Sequence, residues 1–145
     1  MQLYRIASFD YKIYSGVGAA IIGGRWNSVG KDVIYTALSL AGAKLELLAH
    51  IGFKCVPRNY GFVEIFVPNV VSVVKYPRSV PSKMITSQSW GDKWLSEEKS
   101  AIALVPSAAS PGERIAMINP NHHQFPQILV SNEMKVNWDK RHFAS

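Results

Sequence analysis

Cysteine is almost missing from this chain: Cys55 stands alone among 145 residues. One thiol cannot close an intramolecular disulfide, so no covalent framework is expected, and a reducing cytoplasm is the expected compartment. Set among apolar neighbours, that thiol reads as inert rather than reactive. Long apolar runs are missing too. No segment approaches the roughly 20 residues of a membrane span. The start, MQLYRIASFDYK, has no signal-peptide pattern, so no membrane partner is expected. The histidines have no thiolate company, and the side chains of His122 and His123 would point opposite ways on a strand, so no metal site is expected. Charged residues make up only 18%, and the formal net charge of +6 is scattered, without a Lys/Arg run or a basic helical stripe. A basic balance favours an anionic partner, whether nucleic acid, a phosphorylated small molecule or an acidic protein. Scattered in this way, it reads equally well as ordinary surface charge. Linkers, repeats and low-complexity tracts are absent as well.

Hydrophobic residues make up 48% of the chain, enough for one domain over residues 1–145 with a core that needs no staples. The organising stretch runs from Gly16 to His50. Gly16, Gly18, Gly23, Gly24 and Gly30 form a loop whose backbone can come close to something bulky. A short β-type run, residues 32–36, follows, and Ser39 is placed to cap a helix reaching about Ile51. At about 100° per residue, Leu40, Leu45, Leu47, Leu48 and Ile51 share one broad side of that helix. Gly42, Ala43, Glu46, Ala49 and His50 share the other. From the helix pattern alone, this second face reads as solvated, with a Glu46–His50 pair at i, i+4.

Further strands are expected at residues 3–7, 60–67, 70–76, 101–105, 113–119 and 127–131, with a second helix over 87–99. Pro68-Asn69 suits a turn between antiparallel strands, or one bent strand. Arg5 lies inside the apolar first strand, as an edge residue reaching water or as a buried cation awaiting an anion. Trp90, Trp94 and Leu95 fall on one side of the second helix and read as core anchors. Ser107 ends an apolar strand, a place for a ligand contact and equally for an ordinary turn serine. The sum is an α+β domain.

Several of these residues together resemble the RES domain family. The resemblance runs through Tyr4-Arg5, Gly23-Gly24-Arg25-Trp26-Asn27 with Gly30, and Ile34-Tyr35-Thr36-Ala37. It continues in Leu45-Glu46 with His50, Pro106-Ser107, and Asn119-Pro120-Asn121-His122 with Phe125. It implies a compact domain like the ADP-ribosyltransferase toxins, with mixed or antiparallel sheets, a few helices and a cleft for NAD. It further implies the toxin of a type II toxin–antitoxin pair that depletes NAD⁺ by breaking the nicotinamide–ribose bond, with water or inorganic phosphate as acceptor. NAD⁺ is then the substrate and no prosthetic group is required. The implied partner is an Xre-type helix-turn-helix antitoxin in a hetero-oligomeric complex, with DNA met only through that antitoxin.

By motif match the family's arginine falls on Arg25, its tyrosine on Tyr35, its glutamate on Glu46 and its serine on Ser107, with Arg5 as a second pocket arginine. These residue types suit the chemistry. A guanidinium binds pyrophosphate oxygens through a planar fork, the task expected of Arg25 with Arg5 in support. Tyr35 can set its ring against the nicotinamide. Breaking the glycosidic bond develops an oxocarbenium-like ribose, which the Glu46 carboxylate can stabilise. Ser107 is expected to hydrogen-bond the nicotinamide ribose or amide. Two alternatives stand beside this reading: an ADP-ribosyltransferase acting on a macromolecule, and a non-enzymatic or nuclease-like RNA-binding protein suggested by the charge and the 11% aromatic content.

Overall fold

The computed structural model describes residues 1–143; Ala144 and Ser145, at the end of the expected domain, lie outside the described residues. Its strands form a single sheet, and their alternation of buried residues explains the two cores on either side. The strands are β1 (Gln2–Ser8), β2 (Ile34–Ala37), β3 (Tyr60–Phe66), β4 (Val73–Lys75), β5 (Ile102–Pro106), β6 (Arg114–Ile118), β7 (Leu129–Val130) and β8 (Met134–Lys135). Their order is β4-β5-β6-β2-β1-β3-β7, with β8 also on β3. Every pairing is antiparallel except β4 with β5.

Side chains alternate across a strand. Ile102 and Ile118 therefore join Leu3, Ile34, Val63 and Ile65 in one core. Their neighbours Ala103 and Met117 join Trp26, Val33, Tyr76, Trp94 and Leu95 in the other. The tryptophans at 26 and 94 are buried, and Trp90 stacks edge-on against Trp26 and Tyr76, so these aromatics anchor the core as expected.

Among the described residues three α-helices complete the fold: α1 (Val17–Ile22), α2 (Leu40–Ile51) and α3 (Met84–Glu97). The Ser39 hydroxyl accepts from the Gly42 amide at 2.9 Å and so starts α2 where the sequence indicates. The expected faces of α2 are reversed in part. Ala43 and Leu48 are buried while Leu45 and Ile51 are exposed, because small side chains let this helix lie close on β1 and β2. No Glu46–His50 ion pair forms among the described residues.

Other expectations change as well. The glycine stretch contains α1, six residues with no buried side chain and therefore no apolar periodicity to announce it. The expected strand over 70–76 shrinks to β4, which lies at the far end of the sheet from β3, so Pro68-Asn69 makes neither a hairpin nor a bent strand. Val67 and Val71 are both buried in the first core and draw the connection across it. The strand over 127–131 narrows to two residues. Cys55 is exposed rather than seated among apolar neighbours.

Candidate functional site: a cleft between the glycine loop and helix α2

A cleft of about 440 Å³ opens between α1 with its following loop, α2, and the strands β1, β2 and β6. That size falls in the range of small-molecule sites, roughly 300–1,000 Å³. Arg5, Arg25, Tyr35, Glu46 and His50 line it. Sequence positions from 4 to 115 thus meet at one opening.

The loop after α1 is built around close approach. Gly23 ends α1 at φ +79, a left-handed conformation that suits glycine. At Gly24 a side chain has no room: an added Cβ would stand 2.8 Å from Asn27 Oδ1 and 2.9 Å from Tyr35 Oη. Those two atoms form a bond of their own, with the Tyr35 hydroxyl donating to Asn27 Oδ1 at 2.6 Å while accepting from the Trp26 amide at 3.1 Å. Burial, reinforced by Asp92 and opposed by the Trp26 amide and Arg25, pushes the Tyr35 phenol up to about 12. It therefore remains a neutral donor at any physiological pH. Fully buried Asn27 spends its amide hydrogens on the carbonyls of Ala19, Ser28 and Lys31.

Two cations border the cleft. β1 and β2 share one registered pair, Tyr4 with Ala37, and Arg5 spans the strands beyond it. Its guanidinium donates to the Ile13 carbonyl at 2.7 Å and the Tyr35 carbonyl at 3.0 Å, and burial pulls its pKa below the usual arginine value. It is neither a free surface head nor fully engaged, since no carboxylate pairs with it among the described residues. Arg25 is half-buried and makes no hydrogen bond or ion pair among the described residues.

On α2, Glu46 accepts a 2.6 Å hydrogen bond at Oε1 from the Ser107 hydroxyl. Ser107 follows β5, 61 residues further along the chain, and is buried at 3% exposure. Its hydroxyl oxygen also accepts from the Ser110 amide at 2.9 Å, and its own amide donates to Glu113. The serine sits behind the carboxylate and is not part of the cleft lining.

The structure therefore gathers Arg5, Arg25, Tyr35 and Glu46 at the cleft, and ties Ser107 to Glu46 rather than to the opening. The sequence reading passed over Asn27, although it lies within the quoted Gly-Gly-Arg-Trp-Asn run. It also passed over Gln88 and Asp92, whose signal is only a polar pair at i, i+4 on α3. Among the described residues no cluster of three metal-ligating side chains exists. His122 and His123 do not point opposite ways as expected of a strand: they lie in a bend, where their rings stack at 4.3 Å.

The RES domain matches residues 2–139. A Prs ADP-ribosylating toxin of Sphingobium sp. (strain YBL2) is 37% identical over 97% of this chain and 95% of its own length. A Toxin Res of Yersinia enterocolitica is 33% identical over 90% of this chain and 91% of its own. Among solved structures, the MbcT-MbcA toxin-antitoxin complex of M. tuberculosis matches with a TM-score of 0.71 at 18% identity. That match covers 93% of this chain and 83% of the other. It is a likeness of fold, and the mixed eight-stranded sheet with three helices is the fold in question. With nearly its whole length matched, the chain belongs to the RES domain family.

Proposed function

We propose that this chain is the toxin of a toxin–antitoxin pair and that it consumes NAD⁺ by breaking the nicotinamide–ribose bond. The observation that carries the reading is the Glu46 carboxylate, held at the cleft by the Ser107 hydroxyl, in an opening that also holds two guanidiniums without carboxylate partners among the described residues. The relatives named as toxins and the fold shared with a toxin-antitoxin complex support it.

The division of labour follows from the chemistry. Arg25, with Arg5, binds the pyrophosphate. The Tyr35 ring borders the nicotinamide end, its hydroxyl already committed to the loop. Glu46 stabilises the positive charge that grows on the ribose as nicotinamide leaves with the glycosidic electron pair. An acceptor oxygen then bonds to the anomeric carbon and releases its proton. Ser107 orients Glu46 through their short hydrogen bond. The partner is an Xre-type antitoxin that restrains the enzyme, with DNA reached through that partner alone.

The acceptor decides between two reactions. Water or phosphate gives a depletion enzyme. A protein acceptor gives an ADP-ribosyltransferase, a reading favoured by the relative named as a Prs ADP-ribosylating toxin. Both break the same bond. The test incubates purified chain with NAD⁺, with and without phosphate, and separates the products. Nicotinamide with ADP-ribose identifies water as acceptor, and nicotinamide with ADP-ribose-1″-phosphate identifies phosphate. Labelled protein appearing only when lysate is added identifies transfer. Glu46→Gln is expected to slow all three to a small residual rate while the fold survives. Intact NAD⁺ in every arm refutes the reading.

A further inference from the structure

We propose that Gln88 and Asp92, four residues apart on α3, are positioning residues. From outside the cleft they hold the loop that carries Arg25, and so set where its guanidinium meets an anionic ligand. The role of Arg25 rests on the function proposed above; the clamp itself rests on geometry.

Gln88 Nε2 donates to the Gly24 carbonyl at 2.8 Å and to the Asn27 carbonyl at 3.3 Å. Asp92 accepts from the Ser28 amide at 3.0 Å through one oxygen and from the Ser28 hydroxyl at 2.5 Å through the other. Between these two contacts, α3 lies directly on the loop backbone: a Cβ at Gly91 would overlap the Trp26 carbonyl. From the opposite flank the Tyr35 hydroxyl holds the Trp26 amide, and the Gly24 amide donates to the Asn27 carbonyl. Residues 24, 26, 27 and 28 are thus all fixed, whereas Arg25 has no partner of its own among the described residues. Its side chain is free for a ligand while its backbone is held on both sides.

Neither Gln88 nor Asp92 lines the cleft. Although Trp26 packs on it, the helix bearing them also has anchors outside the loop. Trp94 and Leu95 are buried in the second core, Trp94 Nε1 donates to Ser100 Oγ at 2.8 Å, and Asn119 Nδ2 donates to the Leu95 carbonyl at 3.1 Å. Removing the clamp should therefore loosen residues 23–30 without unseating α3. For a group that binds the ground and transition states alike, misplacement raises KM and spares kcat.

The experiment measures hydrogen exchange across the chain and NAD⁺ kinetics for Gln88→Ala, Asp92→Ala, Asp92→Asn and the double alanine variant. Asn keeps an acceptor for the Ser28 amide and a donor for its hydroxyl, so it is the rescuing substitution. The expected result is exchange in residues 23–30 faster by about tenfold or more in the alanine variants, with α3 and the sheet unchanged. KM should rise by about tenfold to a hundredfold with kcat little altered, and Asp92→Asn should return toward wild type. Unchanged exchange in the double variant overturns the proposal, as does faster exchange with KM unmoved. A wild-type chain that leaves NAD⁺ intact refutes the proposed function instead, and the exchange arm then decides the clamp alone.

Discussion

Replacing Ser107 with alanine separates two roles for this residue, contact with the ligand and support of Glu46. The hydroxyl gives one 2.6 Å bond to the carboxylate and accepts one from the Ser110 amide. A hydrogen bond to a charged group contributes about 1.5–3 kcal/mol, and a neutral one about 1 kcal/mol. Were the loss to the carboxylate felt fully in the transition state, about 2 kcal/mol would lower kcat/KM roughly 30-fold. The loss at Ser110 falls on stability, about 1 kcal/mol by urea titration. The decisive assay is a double-mutant cycle on NAD⁺ consumption with Glu46→Gln. If Ser107 works through Glu46, the double variant is no slower than Glu46→Gln alone. Additive losses would show that the serine acts on the ligand directly, and an unchanged Ser107→Ala enzyme would show that the bond has no role in the reaction.

Other substitutions report on the scaffold. Gly91→Ala should destabilise the protein by about 1–3 kcal/mol or more, since its Cβ must displace the Trp26 carbonyl; a urea midpoint equal to wild type would contradict that packing. Glu98 holds a left-handed conformation (φ 54) at the end of α3, so Glu98→Gly should stabilise by about 0.5–1 kcal/mol in the same titration. His122 is buried, accepts from the Gln124 amide at Nδ1, and has its pKa lowered by burial and then by His123, against the opposing pull of Glu98. Its folded state resists the proton, so its contribution is complete above the unfolded value near 6.5 and is lost as pH falls from there through the folded value. Melting temperatures at pH 7.5 and 5.0 should therefore diverge more in wild type than in His122→Asn, whose amide oxygen can accept the same bond; parallel shifts would rule this out.

Much of the scaffold could be read along the chain because its signals are local. Ser39 begins α2 through its own hydroxyl, and the alternation in residues 60–66 marks a strand whose odd positions, Gly61, Val63 and Ile65, face inward. The elements that escaped are those fixed from elsewhere. α1 buries no side chain, so nothing in its residues repeats with a helical period. β4 was expected as a longer strand beside β3, but it is three exposed residues whose extent and place in the sheet depend on β5, nearly thirty positions on. On α2, volume rather than hydrophobicity chooses the buried side, so Ala43 outranks Leu45. The site shows the same division. Residue types and motif order pointed to Arg5, Arg25, Tyr35, Glu46 and Ser107. That Ser107 lies behind Glu46, and that α3 supports Arg25, depends on contacts about sixty residues apart in sequence, which no local pattern carries.

The place of β2 in the sheet also sets a clock. This strand carries Tyr35 and lies between β1 and β6, and Thr36 bonds Ala116, 80 residues later. A ribosome adding about 5–20 residues per second needs roughly 4–16 s to make that interval. During this time the strand has one flank open, and the carboxylate of Glu46 has no Ser107 to meet. A half-made copy consequently has no finished cleft. On this topology the opening is completed only once β6 and Ser107 have emerged, however early β2 and α2 were made.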